Sequence, residues 1–118
     1  GSRGLAQAVG QGHDCVLLDC VTNLVTNFCM DQPTDWEQAR EQDVQEVERL
    51  ALSELTALVG SVRARGCALI MVNNEVGLGL VPEYPLGRAF RDIAGRIGLA
   101  ALSDEVYFCV SGIPMRIK

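Results

Sequence analysis

The sequence contains a single lysine, Lys118, and a single histidine, His13. These 118 residues therefore cannot spell the glycine-rich cradle G-x-x-x-x-G-K-[ST], whose backbone amides and lysine grip nucleotide phosphates. A Ser–His or Cys–His nucleophilic pair would have to draw on His13. No C-x-x-C occurs, and the five cysteines, at 15, 20, 29, 67 and 109, lack the close pairing of zinc ligands. Their odd number and apolar surroundings read as buried, reduced thiols of a cytoplasmic protein. No apolar run approaches the roughly 18–20 residues of a membrane span. No basic patch leads into an apolar stretch at the amino end, so no signal peptide is visible. Positive charge is also scarce: ten Lys plus Arg stand against fifteen Asp plus Glu, for a net charge of −5. That balance argues against a nucleic-acid backbone or an anionic membrane as main partner. What the chain does have is apolar content: 48% of it is hydrophobic, a globular composition that excludes intrinsic disorder.

At 118 residues the chain is one domain or less. Gly1-Ser2 reads as the remnant of a cleaved tag, leaving 3–118 as the unit of interest. Leu5, Ala6, Ala8 and Val9 suit a short helix closed by Gly10 and Gly12. Cys15-Val16-Leu17-Leu18 is a continuous apolar run whose length suits a strand buried on both faces. Apolar side chains at 21, 24, 25 and 28 follow helical spacing. The clearest helix runs from Trp36 to Arg65, with Val44, Val47, Ala51, Leu55, Leu58 and Val62 forming one stripe. Thr34 or Asp35 is expected to cap its start, with Glu37 and Glu41 in the early turns, and Gly66 to end it. Residues 31–54 hold eight acids and two arginines, a net of −6, so the rest of the chain is +1. Cys67 to Val72 is a second apolar strand. A Gly- and Pro-bearing loop (73–85) follows, then a helix marked by Leu86, Phe90, Ile93 and Ile97. Val106 to Val110 is expected to be a third strand. Strand, helices, strand, helix, strand is the order of an α/β protein with right-handed crossovers and a parallel, three-layer sheet.

Ligands gather at the carboxyl ends of strands in open parallel sheets. That rule selects Asp19 after the first strand, Asn73, Asn74 and Glu75 after the second, and Ser111 and Gly112 after the third. His13 and Asp14, and Asp104 and Glu105, fall at the opposite edge, which makes His13 a poor catalytic candidate. An apolar strand ending in an acid can orient Mg²⁺ through water in a nucleotide-hydrolysing fold. It can equally begin a turn or cap the next helix. The loop from Asn73 to Glu83 can bond a ligand through Asn74 and Glu75, or simply knit itself together. Arg88 and Arg91, three apart on one helix face, can meet a phosphate or face solvent.

Six ordered runs then carry a resemblance. They are Val16-Leu17-Leu18-Asp19-Cys20-Val21-Thr22, Val25-Thr26-Asn27, Asn74-Glu75-Val76-Gly77-Leu78-Gly79-Leu80-Val81-Pro82-Glu83, Phe90-Arg91-Asp92-Ile93-Ala94-Gly95-Arg96, Asp104-Glu105-Val106-Tyr107 and Val110-Ser111-Gly112-Ile113 to Lys118. From residue 14 to 118 the chain resembles the carboxy-terminal two-thirds of the bifunctional adenosylcobinamide kinase / adenosylcobinamide-phosphate guanylyltransferase family. The resemblance implies a RecA-like P-loop NTPase fold whose P-loop portion is absent from this chain. It implies two reactions of cobalamin biosynthesis: phosphorylation of adenosylcobinamide by ATP or GTP, then transfer of GMP from GTP through a guanylylated histidine. It further implies Mg²⁺, a homotrimer, nucleotide contact at Asp19, and an active-site rim at Asn74, Glu75, Arg88 and Arg91. The family's P-loop and histidine precede the matched region, so no catalytic residue is expected in this chain, which reads as a fragment. Val81-Pro82-Glu83-Tyr84-Pro85 stands where the family has V-P-E-N-R, and Gly98-Leu99 where it has Asn-Gln. The alternative is a catalytically silent relative acting as an oligomerising or nucleotide-binding module.

Overall fold

The computed structural model describes residues 4–32, 35–38, 40–74 and 99–118. The helix expected over 86–97 lies outside them. Along the described chain come α1 (Leu5–Ala8), β1 (Cys15–Asp19), α2 (Val21–Asp31), a 3₁₀ turn (Trp36–Gln38), α3 (Glu41–Ala64), β2 (Ala68–Val72), α4 (Leu99–Leu102), β3 (Tyr107–Val110) and β4 (Ile113–Arg116). Strands β1 and β2 pair in parallel, Cys15 opposite Ala68 through Asp19 opposite Val72. The fold is thus α/β with parallel pairing, as expected.

The apolar stripe of α3 is what the helix buries. Val44, Val47, Ala51, Leu55, Leu58 and Val62 are all buried. Against them pack Val21, Leu24, Val25, Phe28 and Cys29 of α2. Leu18 of β1, Met71 of β2 and Leu99 and Leu102 of α4 close the same core. Trp36 joins it and donates its indole N–H to the Cys29 carbonyl at 2.8 Å, satisfying the one polar atom it carries inward. The core therefore forms on the sheet face that bears Leu18 and Met71.

The start of α3 differs from the expectation. The segment from Trp36 is broken: a 3₁₀ turn ends at Gln38, and α3 begins at Glu41 with Arg40 as its N-cap residue. The Asp43 carboxylate accepts from the Arg40 backbone N–H at 2.8 Å, so the acid three residues inside the helix does the capping expected of Thr34 or Asp35. Thr34 itself lies outside the described residues. Midway along α3, the Glu54 carboxylate accepts from the Gly4 and Leu5 amides, both at 3.2 Å. A carboxylate thereby satisfies the open amino end of α1 and docks it on α3.

Two further expectations are corrected. Strands β1 and β2 are not buried on both faces. Their residues alternate, and Leu17 and Ile70 remain 62% and 55% exposed because, among the described residues, helices cover one face alone. The third strand is not paired with the parallel sheet among the described residues. Among the described residues β3 pairs with β4, antiparallel, Val110 opposite Ile113 and Tyr107 opposite Arg116. Ser111 (φ 50°) and Gly112 (φ 76°) supply the two positive-φ positions of a two-residue hairpin turn. The three-layer sheet is consequently not seen among the described residues. Arg63, at the end of α3, holds the approach to this hairpin through Asp104 at 3.2 Å and the Leu102 carbonyl at 3.4 Å. No helix among the described residues is long and apolar enough to cross a membrane.

The five cysteines carry free thiols, but Cys29 alone is buried; Cys15 and Cys109 are exposed on strands with an open face. Burial pushes the Cys29 thiol from 9.0 up to about 11. Because its folded-state pKa is raised, its contribution to stability is full below pH 9 and is lost as pH rises towards 11. Unfolding free energies measured by urea across pH 8 to 11 are expected to fall over that window in the native protein and less steeply in Cys29→Ala. Equal slopes would contradict the burial. Leu55→Ala, at a fully buried position of the stripe, is expected to cost about 2–5 kcal/mol in the same assay. A loss under about 1 kcal/mol would contradict its place at the centre of the core.

Candidate functional site

The carboxyl edge of the β1–β2 sheet gathers four polar features. Asp19 ends β1 and is exposed. By the alternation of the strand it shares the open face with Cys15 and Leu17, away from α2 and α3. Val72, its register partner, ends β2 and is followed by Asn73 and Asn74, both exposed. Two residues beyond Asp19, α2 begins at Val21, with Cys20 as N-cap in extended backbone and no side-chain cap. No acid lies in the first turn of α2, so the positive end of its dipole opens onto the same edge as the Asp19 carboxylate.

Thr22 joins the two halves of this edge. Its hydroxyl donates to Asn73 Oδ1 at 3.2 Å and accepts from the Asn74 backbone N–H at 3.1 Å. The Thr22 carbonyl in turn accepts from Thr26 Oγ1 at 3.0 Å. Sequence reasoning selected Asp19, Asn73 and Asn74 but gave Thr22 no role. The partners lie 51 and 52 residues away, and no local spacing signals such a contact.

Of the other expected site residues, Glu75, Arg88 and Arg91 lie outside the described residues. Ser111 and Gly112 form the tip of the β3–β4 hairpin and are not at a carboxyl end of the parallel sheet, so the rule that selected them does not apply. His13 is exposed at the amino edge. There Arg65 donates to the Val9 and Gly10 carbonyls at 3.1 and 3.0 Å, tying the end of α3 to the segment before β1. A cavity of about 440 Å³ opens at that edge, lined by Gln11, His13, Asp14, Arg65 and Cys67 among others. A second, of about 360 Å³, is lined by α1, Leu58 and residues of β1 from both sheet faces, so it runs along the strand edge that does not pair with β2. Neither of these two cavities is lined by Asp19, Asn73 or Asn74, all three of which are exposed. Among the described residues no group of three His, Cys, Asp or Glu side chains could hold a metal ion. Asp19 is the one carboxylate at this edge among the described residues, a donor set compatible with an ion that keeps most of its water and needs one or two carboxylates, as Mg²⁺ does.

Being exposed, Asp19 is expected to contribute little to folding. Asp19→Asn should change the unfolding free energy by no more than about 0.5 kcal/mol. A loss above about 2 kcal/mol in urea unfolding would make the carboxylate a structural element of the edge.

Comparison with known proteins follows the same span. A family model described as cobinamide kinase / cobinamide phosphate guanyltransferase matches residues 2–117. The chain is 43% identical over 108 residues to the bifunctional adenosylcobalamin biosynthesis protein CobU of Escherichia coli K12, covering 90% of this chain and 59% of that protein. It is 43% identical over 112 residues to the CobU of Salmonella typhimurium, covering 89% of this chain and 59% of that one. With the bifunctional adenosylcobalamin biosynthesis protein CobP of Pseudomonas aeruginosa it shares 34% identity over 107 residues, 88% of this chain and 53% of the relative. The chain thus spans rather more than half the length of these curated relatives.

Proposed function

Because the chain belongs to the cobinamide kinase / cobinamide phosphate guanyltransferase family, we propose that it serves adenosylcobalamin biosynthesis as the nucleotide-facing sheet edge of a bifunctional transferase. The two reactions are phosphorylation of the adenosylcobinamide hydroxyl by ATP or GTP, and transfer of GMP from GTP to the resulting phosphate. The substrates are adenosylcobinamide and nucleotide, and the working assembly is a cytoplasmic homotrimer. Residues 3–118 make up the carboxy-terminal part of one P-loop-type domain. The glycine-rich phosphate cradle and the histidine that carries GMP belong to polypeptide outside these 118 residues, in keeping with relatives of which the chain covers 59%.

The observation that carries this reading is the convergence, at one carboxyl edge, of the Asp19 carboxylate, the uncapped start of α2 and the Asn73–Asn74 segment. In a parallel sheet that edge is where nucleotides settle. Asp19 would hold Mg²⁺ through water, and the ion supplies neutralisation of the charge on the transferring phosphoryl group. The chain's own residues orient: the dipole of α2 favours negative charge at its start, and the Asn74 side chain offers both a donor and an acceptor. Glu75, Arg88 and Arg91, which lie outside the described residues, are assigned to the rim on the family resemblance alone; an arginine there would meet phosphate with paired donors.

Calorimetric titration of GTP with Mg²⁺ into the full-length gene product tests the assignment. Asp19→Ala is expected to weaken binding by roughly 10- to 100-fold, the scale of one charge-assisted contact. Unchanged affinity would remove Asp19 from the nucleotide site.

A further inference from the structure

The hydroxyl of Thr22 occupies an unusual place in this edge. In the first turn of α2 a threonine commonly turns its oxygen back on its own helix. Here it reaches across to the segment after β2 instead. Its single proton goes to Asn73 Oδ1, and one of its lone pairs receives the Asn74 amide. The parallel pairing of β1 with β2 ends at Asp19 and Val72. Beyond that point the strand ladder offers Asn74 no partner, and the Thr22 oxygen takes over at 3.1 Å. The same residue sits three positions after Asp19 and receives the Thr26 hydroxyl on its carbonyl, so it is held on its own helix as well. Asp19 and Asn74 lie 55 positions apart in the chain, and Thr22 is the side chain that bonds the Asn74 backbone to the element starting directly after Asp19.

Resting on the nucleotide reading of this edge, we propose that Thr22 is a positioning residue for the bound nucleotide. Its hydroxyl clamps the peptide of Asn74 to the start of α2, so that Asn74 and Asp19 face the nucleotide in one fixed spacing. Both hydrogen bonds of the clamp are exposed, where such a bond adds little to global stability. Its consequence falls on binding geometry, to which sites built from several separate groups are sensitive.

The variants that separate hydroxyl from shape are Thr22→Val, which keeps the branched side chain without the oxygen, and Thr22→Ser, which keeps the oxygen. In the full-length gene product Thr22→Val is expected to speed hydrogen exchange at the Asn74 amide by about five-fold. It should raise the GTP dissociation constant by roughly three- to ten-fold while moving Tm by no more than about 2 °C. Thr22→Ser should restore both exchange and affinity to within about two-fold of the native protein. Thr22→Ala reads the same loss if the valine variant does not fold. Equal GTP affinity for the serine and valine (or alanine) variants, or an Asn74 amide unmoved by loss of the hydroxyl, would overturn the proposal. Asp19→Ala measured alongside keeps the two claims apart. Weakened binding in Asp19→Ala with native binding in Thr22→Val sinks the clamp alone, whereas native binding in both sinks the nucleotide edge with it.

Discussion

Parallel pairing of β1 with β2 in one register is the constraint on which the rest depends. Asp19 stands opposite Val72, so both strands end at the same level and deliver their following residues to a common edge. The register is held by burial. Leu18 and Met71, which are paired, point at the α2–α3 core, while Leu17 and Ile70 point away. A slip of one residue in either strand would turn its buried set outward and its exposed set inward. The same slip would carry Asp19 from the open face to the helix-covered face. Packing and the candidate site are therefore set by one pairing.

The helices have a second effect, on charge. The stretch 31–54 carries eight of the chain's fifteen acids, and three of those on α3 have described partners away from the carboxyl edge. Asp43 caps α3, Glu46 pairs with Arg49 at 2.8 Å, and Glu54 holds the amides that start α1. Among the described residues at the carboxyl edge, from Asp19 to Thr22 and at Asn73 and Asn74, Asp19 is the one charged side chain. Five of the chain's acids thus lie on α3 rather than at the described part of the carboxyl edge, which lowers the repulsion an anionic ligand proposed there would meet.

Much of this was legible in the amino-acid order, and the failures have physical causes. The α3 stripe shows at steps of three and four, and every residue in it is buried. Both parallel strands show as short apolar runs. A continuous apolar run does not say how many of its faces will be covered, so the open face of Leu17 and Ile70 was not readable from it. Nor does such a run choose its partner: Tyr107 to Val110 reads equally as a central parallel strand or as half of a hairpin. The hairpin signal was in fact present in Ser111-Gly112, the turn that the two positive φ angles require. The break before α3 escaped because Asp43 caps from inside the helix, where its carboxylate looks like one more surface acid. Asp19 and Asn74 could be placed at one edge by topology alone. Thr22 could not, because its role exists only when segments some fifty residues apart have met.

The proposed function requires the nucleotide to lie against the carboxyl edge. A crystal structure of the full-length gene product with Mg²⁺ and a non-hydrolysable GTP analogue tests that directly. The expected result is the ion or nucleotide within hydrogen-bonding or water-bridged reach of the Asp19 carboxylate, at the start of α2 and beside Asn74. A nucleotide seated instead in the amino-edge cavity between His13 and Arg65, with Asp19 facing solvent, would contradict it.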